Sequence, residues 1–308
     1  MNTAANSVPV FDRHVAPSRT AQTFLWSILR ELMEHRSIVL GPVLVTGLFL
    51  IGFCISLFYL PARVRGIASL DLAHQHEVFA GHFDVAAGFI MGAAFLVAVF
   101  YSLEALSSER RDRSILFWKS MPVSDVTTVL SKATIPVVVL PLISYVLTVL
   151  TQWIMLLVSS AVLSASGLPV ARLWTEVSFL RMSMLLLYHL ILIHGLWYAP
   201  MFSFLLLVSA WARRVPFLWA ALPIVAIAGI EKIAFNTHHF TDFLLNRISG
   251  DGSDIPFTQN DMTTGSMGPA MHLNFLHFLV NPGLWIGLAL SAGFLYAAIQ
   301  IRHRRSPL

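Results

Sequence analysis

The sequence is poor in charged residues and nearly devoid of cysteine, and each shortage excludes a class of protein. Only 12% of its 308 residues are charged, whereas soluble proteins contain about 25%. With a mean hydropathy of +0.73, the chain is predicted to be an integral membrane protein. The single cysteine, Cys54, excludes a disulfide within the chain and a cysteine-based metal site. Because the first 20 residues contain no apolar run, we expect no cleaved signal peptide.

The chain also lacks the short motifs of common enzymes. Its three lysines are Lys119, Lys132 and Lys232, and none follows a glycine, which excludes a P-loop for ATP. Neither H-E-x-x-H nor G-x-S-x-G occurs, which argues against an intramembrane hydrolase. The sequence therefore predicts a protein that is not an enzyme and carries no catalytic residue, cofactor or metal of its own.

Long apolar runs are abundant, and they predict an all-α membrane protein. A span needs about 20 apolar residues, and six stretches qualify: Ile38–Leu60, Phe83–Leu103, Ala133–Leu163, Met182–Ala210, Phe217–Phe235 and Leu276–Ile301. Pro136, Pro141 and Pro200 predict kinks in the third and fourth spans. We expect an N-terminal segment over 1–37, a six-span domain over 38–301 and a tail over 302–308. The two long connections are a loop over 104–132 and an outer loop over 236–275.

The basic residues predict the orientation of the spans. With the N-terminus in the cytoplasm, fourteen Lys or Arg residues fall on the inner side and six on the outer side. This distribution obeys the positive-inside rule. Both termini and the 104–132 loop are therefore predicted to be cytoplasmic.

A helix is also predicted ahead of the first span. Ser18 can cap it, and apolar residues then recur every three to four positions: Phe24, Leu25, Ile28, Leu29 and Leu32. Polar residues fill the other face: Thr20, Thr23, Arg30, Glu31 and Glu34. This pattern is typical of an amphipathic helix lying on the membrane surface. The alternative is a cytoplasmic extension of the first span.

Few ionisable residues lie inside the spans, although such residues often mark ion pathways. His189 and His194 are five positions apart, about 140° on an α-helix, so we expect them on different faces. The expected role of each is a hydrogen bond to a neighbouring helix or carbonyl. Glu231 and Lys232 end the fifth span and are expected to reach water at the interface.

Two further patterns have weaker implications. Gly88 with Gly92, and Gly283 with Gly287, form GxxxG motifs that permit close helix approach, and packing within the chain is the favoured interpretation over packing between subunits. Histidines and methionines in the outer segments have side chains that bind copper or zinc, but their spacing matches no closed metal motif. They are His74, His76, His82, His238, His239, His272, His277, Met262, Met267 and Met271.

The 104–132 loop is longer, and its charged and apolar residues are more clearly grouped, than a simple connector between two spans requires. A charge cluster over 109–113 is followed by a bulky run, Ile115-Leu116-Phe117-Trp118. Residues 114–120 are long enough for two helical turns, and Pro122 ends them. Ser124 then caps the third span, with the favourable charge of Asp125 in its first turn. The apolar residues of this short helix either dip into the membrane interface or bind a soluble partner.

The loop resembles the signature region of the ATP-binding-cassette (ABC) type-2 permeases. That pattern has an acidic-basic run, a small residue, bulky apolar residues, Pro-[Val/Ile]-Ser and a later lysine. The matching residues are Glu109, Arg110, Arg113, Ser114, Leu116, Pro122, Val123, Ser124 and Lys132. Ser114 and Ser131 stand where the family often has glycine. The six-span layout with an interfacial N-terminal helix extends the resemblance to most of the chain.

The resemblance implies a coupling helix that sits in a groove of a separate ATPase subunit. Its expected contacts are Glu109, Arg110, Arg113, Ile115, Leu116, Phe117, Trp118, Lys119 and Pro122. Phe117 and Trp118 are the best candidates for energetic anchors, and the charges for rim contacts. The implied machine contains two ATPase subunits with ATP and magnesium, and a second permease copy or paralogue, in a bacterial cytoplasmic membrane. Its expected function is export of a hydrophobic or amphiphilic substrate such as a drug, peptide or lipid, with no nucleic acid involved.

Two alternatives remain at this level. The first is a membrane sensor or assembly scaffold with a permease-like fold, which the long outer loop favours. The second is a secondary transporter or channel, which the scarcity of intramembrane charge disfavours. The substrate and the pore-lining residues cannot be read from the sequence.

Overall fold

The computed structural model describes residues 18–66, 72–111, 123–176, 179–249 and 275–304, and all regular structure in these ranges is helical. We number the α-helices α1 to α14 along the chain. They are α1 Ser18–Glu34, α2 Ser37–Ser56, α3 Leu60–Gly66, α4 Leu72–Glu104, α5 Ser107–Arg111, α6 Asp125–Thr134, α7 Leu140–Ala165, α8 Ala171–Glu176, α9 Phe179–His189, α10 Ala199–Trp211, α11 Pro216–Phe235, α12 His239–Ser249, α13 Phe275–Val280 and α14 Pro282–Arg304. A 3₁₀ turn, Leu57–Tyr59, joins α2 to α3, and two π-helices, Ile135–Val139 and Leu190–Trp197, follow α6 and α9.

Within the described residues, six helical segments are long and apolar enough to cross a membrane, so the chain is a multi-pass membrane protein. They are Ser37–Gly66, Gly81–Arg111, Asp125–Ala165, Leu173–Trp197, Pro216–Phe235 and Pro282–Arg304. Each overlaps one predicted span. The fourth segment differs most from its prediction. It ends at Trp197, whereas the predicted stretch Met182–Ala210 continues past Tyr198 into α10. Pro200 in the first turn of α10 explains this break, since proline offers no N–H to the preceding turn.

The structure also corrects the prediction for the connection between the fifth and sixth spans. The predicted outer loop over 236–275 contains α12, an eleven-residue helix that begins three residues after α11 ends. Asn236 closes α11 with a φ of 51°, a left-handed conformation that asparagine tolerates better than most residues. Part of the predicted loop is therefore helical and lies close to the end of the fifth span.

The core lies where α4 crosses the other spans. Its largest apolar cluster joins Ile38, Ala98, Leu140, Phe202 and Ala298, which come from five different segments. The most extensive helix contact joins α10 to α14. In contrast, Ala220 is the buried residue of α11, so most of the fifth span presents its side chains outward.

The N-terminal helix α1 packs against the bundle in a way that the sequence pattern does not show. Glu31, predicted on the polar face, is fully buried, so this part of the polar face packs against the bundle. Leu25, Trp26, Leu29 and Met33 are exposed instead. The physical reason is a set of buried partner charges, described below, that stabilise the carboxylate away from water.

The two GxxxG motifs have opposite surroundings. At Gly287 an added Cβ would lie 3.1 Å from Pro200 Cγ and would also meet the guanidinium of Arg247, so this glycine permits close packing within the chain. At Gly88 and Gly92 a Cβ would meet no atom of the described residues within 4 Å. Both line an apolar groove of about 750 Å³ beside Phe89 and Phe95. Among the described residues the α4 motif therefore has no close helix neighbour, and its packing within the chain stays a prediction.

Candidate functional site

The ends of the 104–132 loop form the candidate site. Of the predicted ATPase contacts, Glu109 and Arg110 are described, on α5. The others lie outside the described residues: Arg113, Ile115, Leu116, Phe117, Trp118, Lys119 and Pro122. We call α5 and the first turns of α6 the loop roots, and the end of the bundle that carries them the loop end.

The second loop root begins as the sequence predicts. The hydroxyl of Ser124 accepts a hydrogen bond from the Thr127 backbone N–H at 3.0 Å, and Asp125 occupies the first turn of α6. Such a cap satisfies one of the N–H groups that a helix start leaves unpaired. The helix therefore begins at a fixed residue, immediately after the loop.

A buried lysine joins the two roots to the N-terminal helix. Lys132 Nζ, on α6, lies 2.7 Å from Glu31 Oε1 on α1 and 3.1 Å from Glu109 Oε1 on α5. The side chains of Lys132 and Glu31 are 1% and 0% exposed. Ions removed from water to this extent are stable only when paired closely. Lys132 therefore fixes three elements at one point.

Arg302, near the end of α14, joins the same roots from the other side. Its Nη1 donates to Glu109 Oε2 at 2.6 Å, and its Nε donates to Asp125 Oδ1 at 2.9 Å. Glu109 thus bridges Lys132 and Arg302. Because a guanidinium presents its donors in a fixed fork, the two carboxylates are held at a defined separation. The last span is thereby tied to the beginning and the end of the loop.

Two further side chains complete what we call the ion cluster. Arg30 Nη2 lies 2.7 Å from Glu31 Oε1, and the hydroxyl of Tyr101, on α4, donates to Glu31 Oε2 at 2.9 Å. The three cations are Arg30, Lys132 and Arg302, and the three carboxylates are Glu31, Glu109 and Asp125. Glu34, which is partly exposed, adds an outer pair with Arg30 at 3.5 Å, so each buried ion of the cluster faces an opposite charge.

The charges around Glu31 control its protonation. Burial raises the pKa of this carboxyl, but the attraction and hydrogen bond of Lys132, with those of Arg30, outweigh burial and lower the pKa below its usual 4.5. Glu31 is therefore ionised at neutral pH.

The first root is also fixed to the end of α10. Arg110 donates to the backbone carbonyls of Ser209 and Ala212, which lie at the C-terminal end of that helix and attract a cation. In return, the Ser209 hydroxyl accepts hydrogen bonds from the Leu106 and Ser107 backbone N–H groups, both at 3.0 Å. The break between α4 and α5 is therefore stabilised by α10.

Sequence reasoning identified part of this site and gave its residues other roles. Glu109 and Arg110 were predicted as rim contacts for an ATPase, whereas the structure places their side chains against the chain's own helices; the ATPase contact stays a prediction. The pairing of Glu31 with Lys132 and of Asp125 with Arg302 was missed. The available signal was a lysine at the start of a span, since an ion at such a position requires an opposite charge nearby.

One group of side chains in this region has metal-ligand spacing. Ligand atoms of Glu31, Glu34 and His35 lie within 4.8 Å of one another. However, the Glu31 oxygens already accept hydrogen bonds from Lys132 and Tyr101. The positive charge that a metal would supply is thus provided by the protein, and we assign no metal here.

The opposite end of the bundle, which we call the far end, uses its charges differently. Arg247, on α12, donates to the Trp197 carbonyl at 3.0 Å and to the Gly283 carbonyl at 3.3 Å, and its guanidinium carbon lies 3.7 Å from the Trp197 ring centroid. Glu231 accepts from the Phe240 backbone N–H at 2.9 Å and the Thr237 hydroxyl at 2.8 Å. It therefore caps α12, in addition to any contact with water.

The outer histidines that are described also contact neighbours. His82 Nε2 lies 3.2 Å from Arg63 Nη1, and His238 Nε2 lies 2.9 Å from Lys232 Nζ. The segment with His272 and the three outer methionines lies outside the described residues. Among the residues that are described, these histidines form no group of three metal ligands, and the outer metal hypothesis stays open.

Comparison with known proteins adds no identification. No protein-family model, no curated protein and no solved structure matches the chain. The class of protein that the fold and site define is thus a six-span helical membrane protein with a buried ion cluster at the roots of one loop.

Proposed function

We propose that this chain is the membrane subunit of an ABC exporter, whose 104–132 loop binds a separate ATPase in the cytoplasm. The observation that carries the proposal is the ion cluster at the loop roots. It supports the proposal because a loop that receives force from a partner must be fixed to the spans. A simple connector needs no such attachment.

The attachment reaches the parts of the bundle that transport would have to move. Through Lys132, Arg302 and Arg110, the roots contact α1, α14 and α10, and Tyr101 adds α4. Removing one partner of a buried pair costs about 3–5 kcal/mol, so displacement of the loop is expected to carry these helices with it. ATP binding to the partner would supply that displacement.

The outer surface of the bundle supports assembly with a second permease chain. The fifth span has Ala220 as its buried residue, and large apolar side chains such as Phe217, Ile233 and Phe235 are 61%, 88% and 74% exposed. Lipid covers apolar side chains of this kind, and so does a second membrane subunit. We propose two permease chains and two ATPase chains, with a hydrophobic or amphiphilic cargo.

Co-purification tests the proposal directly. The tagged full-length chain, extracted from its native membrane, is expected to retain an ATP-hydrolysing subunit in equimolar amount. Phe117→Ala and Trp118→Ala should weaken that association about thirtyfold, because an interface anchor contributes about 2 kcal/mol or more. The matched control is Trp285→Ala, at an exposed tryptophan of the far end, which should retain the ATPase. Equal ATPase recovery in all variants would remove the anchor assignment.

Vesicles separate an exporter from a scaffold. The purified complex, reconstituted with lipophilic dyes as candidate cargo, should move dye only when ATP and magnesium are present. A complex that hydrolyses ATP without moving any tested solute, and whose hydrolysis no solute stimulates, would favour the sensor or scaffold hypothesis. Dye movement driven by an ion gradient without ATP would instead favour a secondary transporter.

A further inference from the structure

The two histidines of the fourth span lie together, contrary to the expectation from α-helical geometry. The ring centroids of His189 and His194 are 5.3 Å apart, with an interplanar angle of 56°. The cause is the π-helix over Leu190–Trp197, in which residues five apart share a face. An α-helix would have separated the rings by more than a quarter turn.

The surroundings of the pair are aromatic and apolar. The His194 ring lies 5.5 Å from the Tyr198 ring and 6.5 Å from the Phe95 ring, centroid to centroid. His194 Nδ1 is buried and has no hydrogen-bond partner among the described residues. A buried polar atom of this kind is uncommon and requires an explanation, and a bound ligand is one such explanation.

We propose that His189 and His194 bind one monovalent metal ion of the Cu(I) type. Imidazole nitrogen is a good ligand for copper. An ion bound about 2.0 Å from one nitrogen of each ring leaves the ring centroids at most about 6 Å apart, and the observed 5.3 Å falls within that limit. The separation of the two rings is therefore compatible with one shared ion.

The surroundings favour a monovalent ion over a divalent one. Within the described part of the chain, no third His, Cys, Asp or Glu joins the pair to make a three-ligand group. Zinc and other divalent ions take four or more ligands and usually a compensating negative charge. The cost of an ion in an apolar medium grows with the square of its charge, so two neutral ligands suit a single positive charge better. Cu(I) and Ag⁺ accept two ligands readily.

Silver binding to the full-length protein in detergent tests this site without any transport assay. Cys54→Ser is the background, because an exposed thiol binds silver itself. Ag⁺ titrated by calorimetry should bind at one equivalent per chain. His189→Gln and His194→Gln should each weaken that binding at least tenfold. His303→Gln is the matched control, since its side chain is 78% exposed at the loop end, and it should leave the affinity unchanged.

X-ray absorption at the silver edge gives a readout that does not depend on the variants folding. The unsubstituted site should show two nitrogen neighbours. Sulfur neighbours alone, or equal affinity in both histidine variants and the parent, would overturn the proposal. Zn²⁺ binding more tightly than Ag⁺ at the same histidines would overturn the monovalent assignment. Each outcome is independent of whether an ATPase binds the loop.

Discussion

The two ends of the bundle both hold charged side chains against neighbouring groups, but among the described residues only the loop end buries them, and the partners differ. At the loop end, Lys132 and Arg302 pair with carboxylates from other helices. At the far end, Arg247 binds the Trp197 and Gly283 carbonyls and the Trp197 ring, and Glu231 caps the start of α12. The loop end therefore combines matched opposite charges with the Arg110 contacts to backbone carbonyls, whereas the far-end Arg247 has backbone and aromatic partners.

This difference has a consequence for function. At the far end, Arg247 holds α12 against the Trp197 and Gly283 carbonyls of two other segments. At the loop end, Lys132 and Arg302 each pair with carboxylates on two different helices, so we propose that displacement of one of these helices is passed to the others. Four predictions test that contrast, from the largest expected effect to the smallest.

Removal of the central lysine should have the largest effect. Lys132→Met leaves Glu31 and Glu109 without their shared cation and should lower the free energy of unfolding by about 3–5 kcal/mol. Denaturant titration of the full chain in micelles measures it. The matched control, Lys232→Met, removes an exposed far-end lysine and should cost less than about 1 kcal/mol. Equal losses in both variants would contradict the contrast.

Adding one methyl group to each GxxxG motif should distinguish a glycine in close packing from a glycine with open space around it. Gly287→Ala places a Cβ against Pro200 and Arg247 and should lower the free energy of unfolding by about 1–3 kcal/mol. Gly88→Ala adds a methyl where no described atom lies within 4 Å, so its effect on the monomer should stay within about 0.5 kcal/mol. If Gly88→Ala instead greatly reduced the dimeric fraction of the protein, the α4 motif would lie between subunits.

Substitution of Arg247 by lysine tests the far end without removing its charge. Lysine has neither the planar fork nor the stacking surface of arginine, so the contact with the Trp197 ring should weaken by about 1 kcal/mol. Differential hydrogen exchange should then increase in α12 and not in α6. If exchange increases at the loop end instead, the two ends are not independent.

Acid should weaken the ion cluster at the loop end. The pKa of Glu31 is lowered in the folded protein, so its contribution to stability is complete above its usual 4.5 and is lost as pH falls through the lowered value. The free energy of unfolding should therefore decline on acidification below pH 4.5. Glu31→Gln should be less stable at neutral pH and show a shallower decline. An unchanged slope in that variant would mean that other carboxyls dominate.

The placement of the six candidate spans was predictable because it depends on composition along the chain, whereas the sides of the termini stay a prediction. Apolar runs of about 20 residues predicted six spans, and each overlaps a helix of the structure. The Ser124 cap was predictable for a similar reason, since a cap depends on residues adjacent in sequence. Both features follow from local chemistry.

The ion cluster and the histidine pair were not predictable, because both depend on contacts between distant residues or on unusual helix geometry. Arg302 and Glu109 are 193 positions apart, and no local pattern relates them. Glu31 fits the polar face of an amphipathic helix, and only the packing of α1 against Lys132 buries it. The expectation that His189 and His194 lie on different faces assumed α-helical spacing, and the π-helix does not have that spacing.

Photo-crosslinking tests the central claim, that this loop binds an ATPase, most directly. The photoreactive residue p-benzoylphenylalanine, placed at position 118 of the full chain in its native membrane, should form an adduct with an ATP-hydrolysing polypeptide on illumination. The same residue at position 285 should form none. Adducts with lipid alone at position 118, or ATPase adducts at 285 and not at 118, would contradict the account.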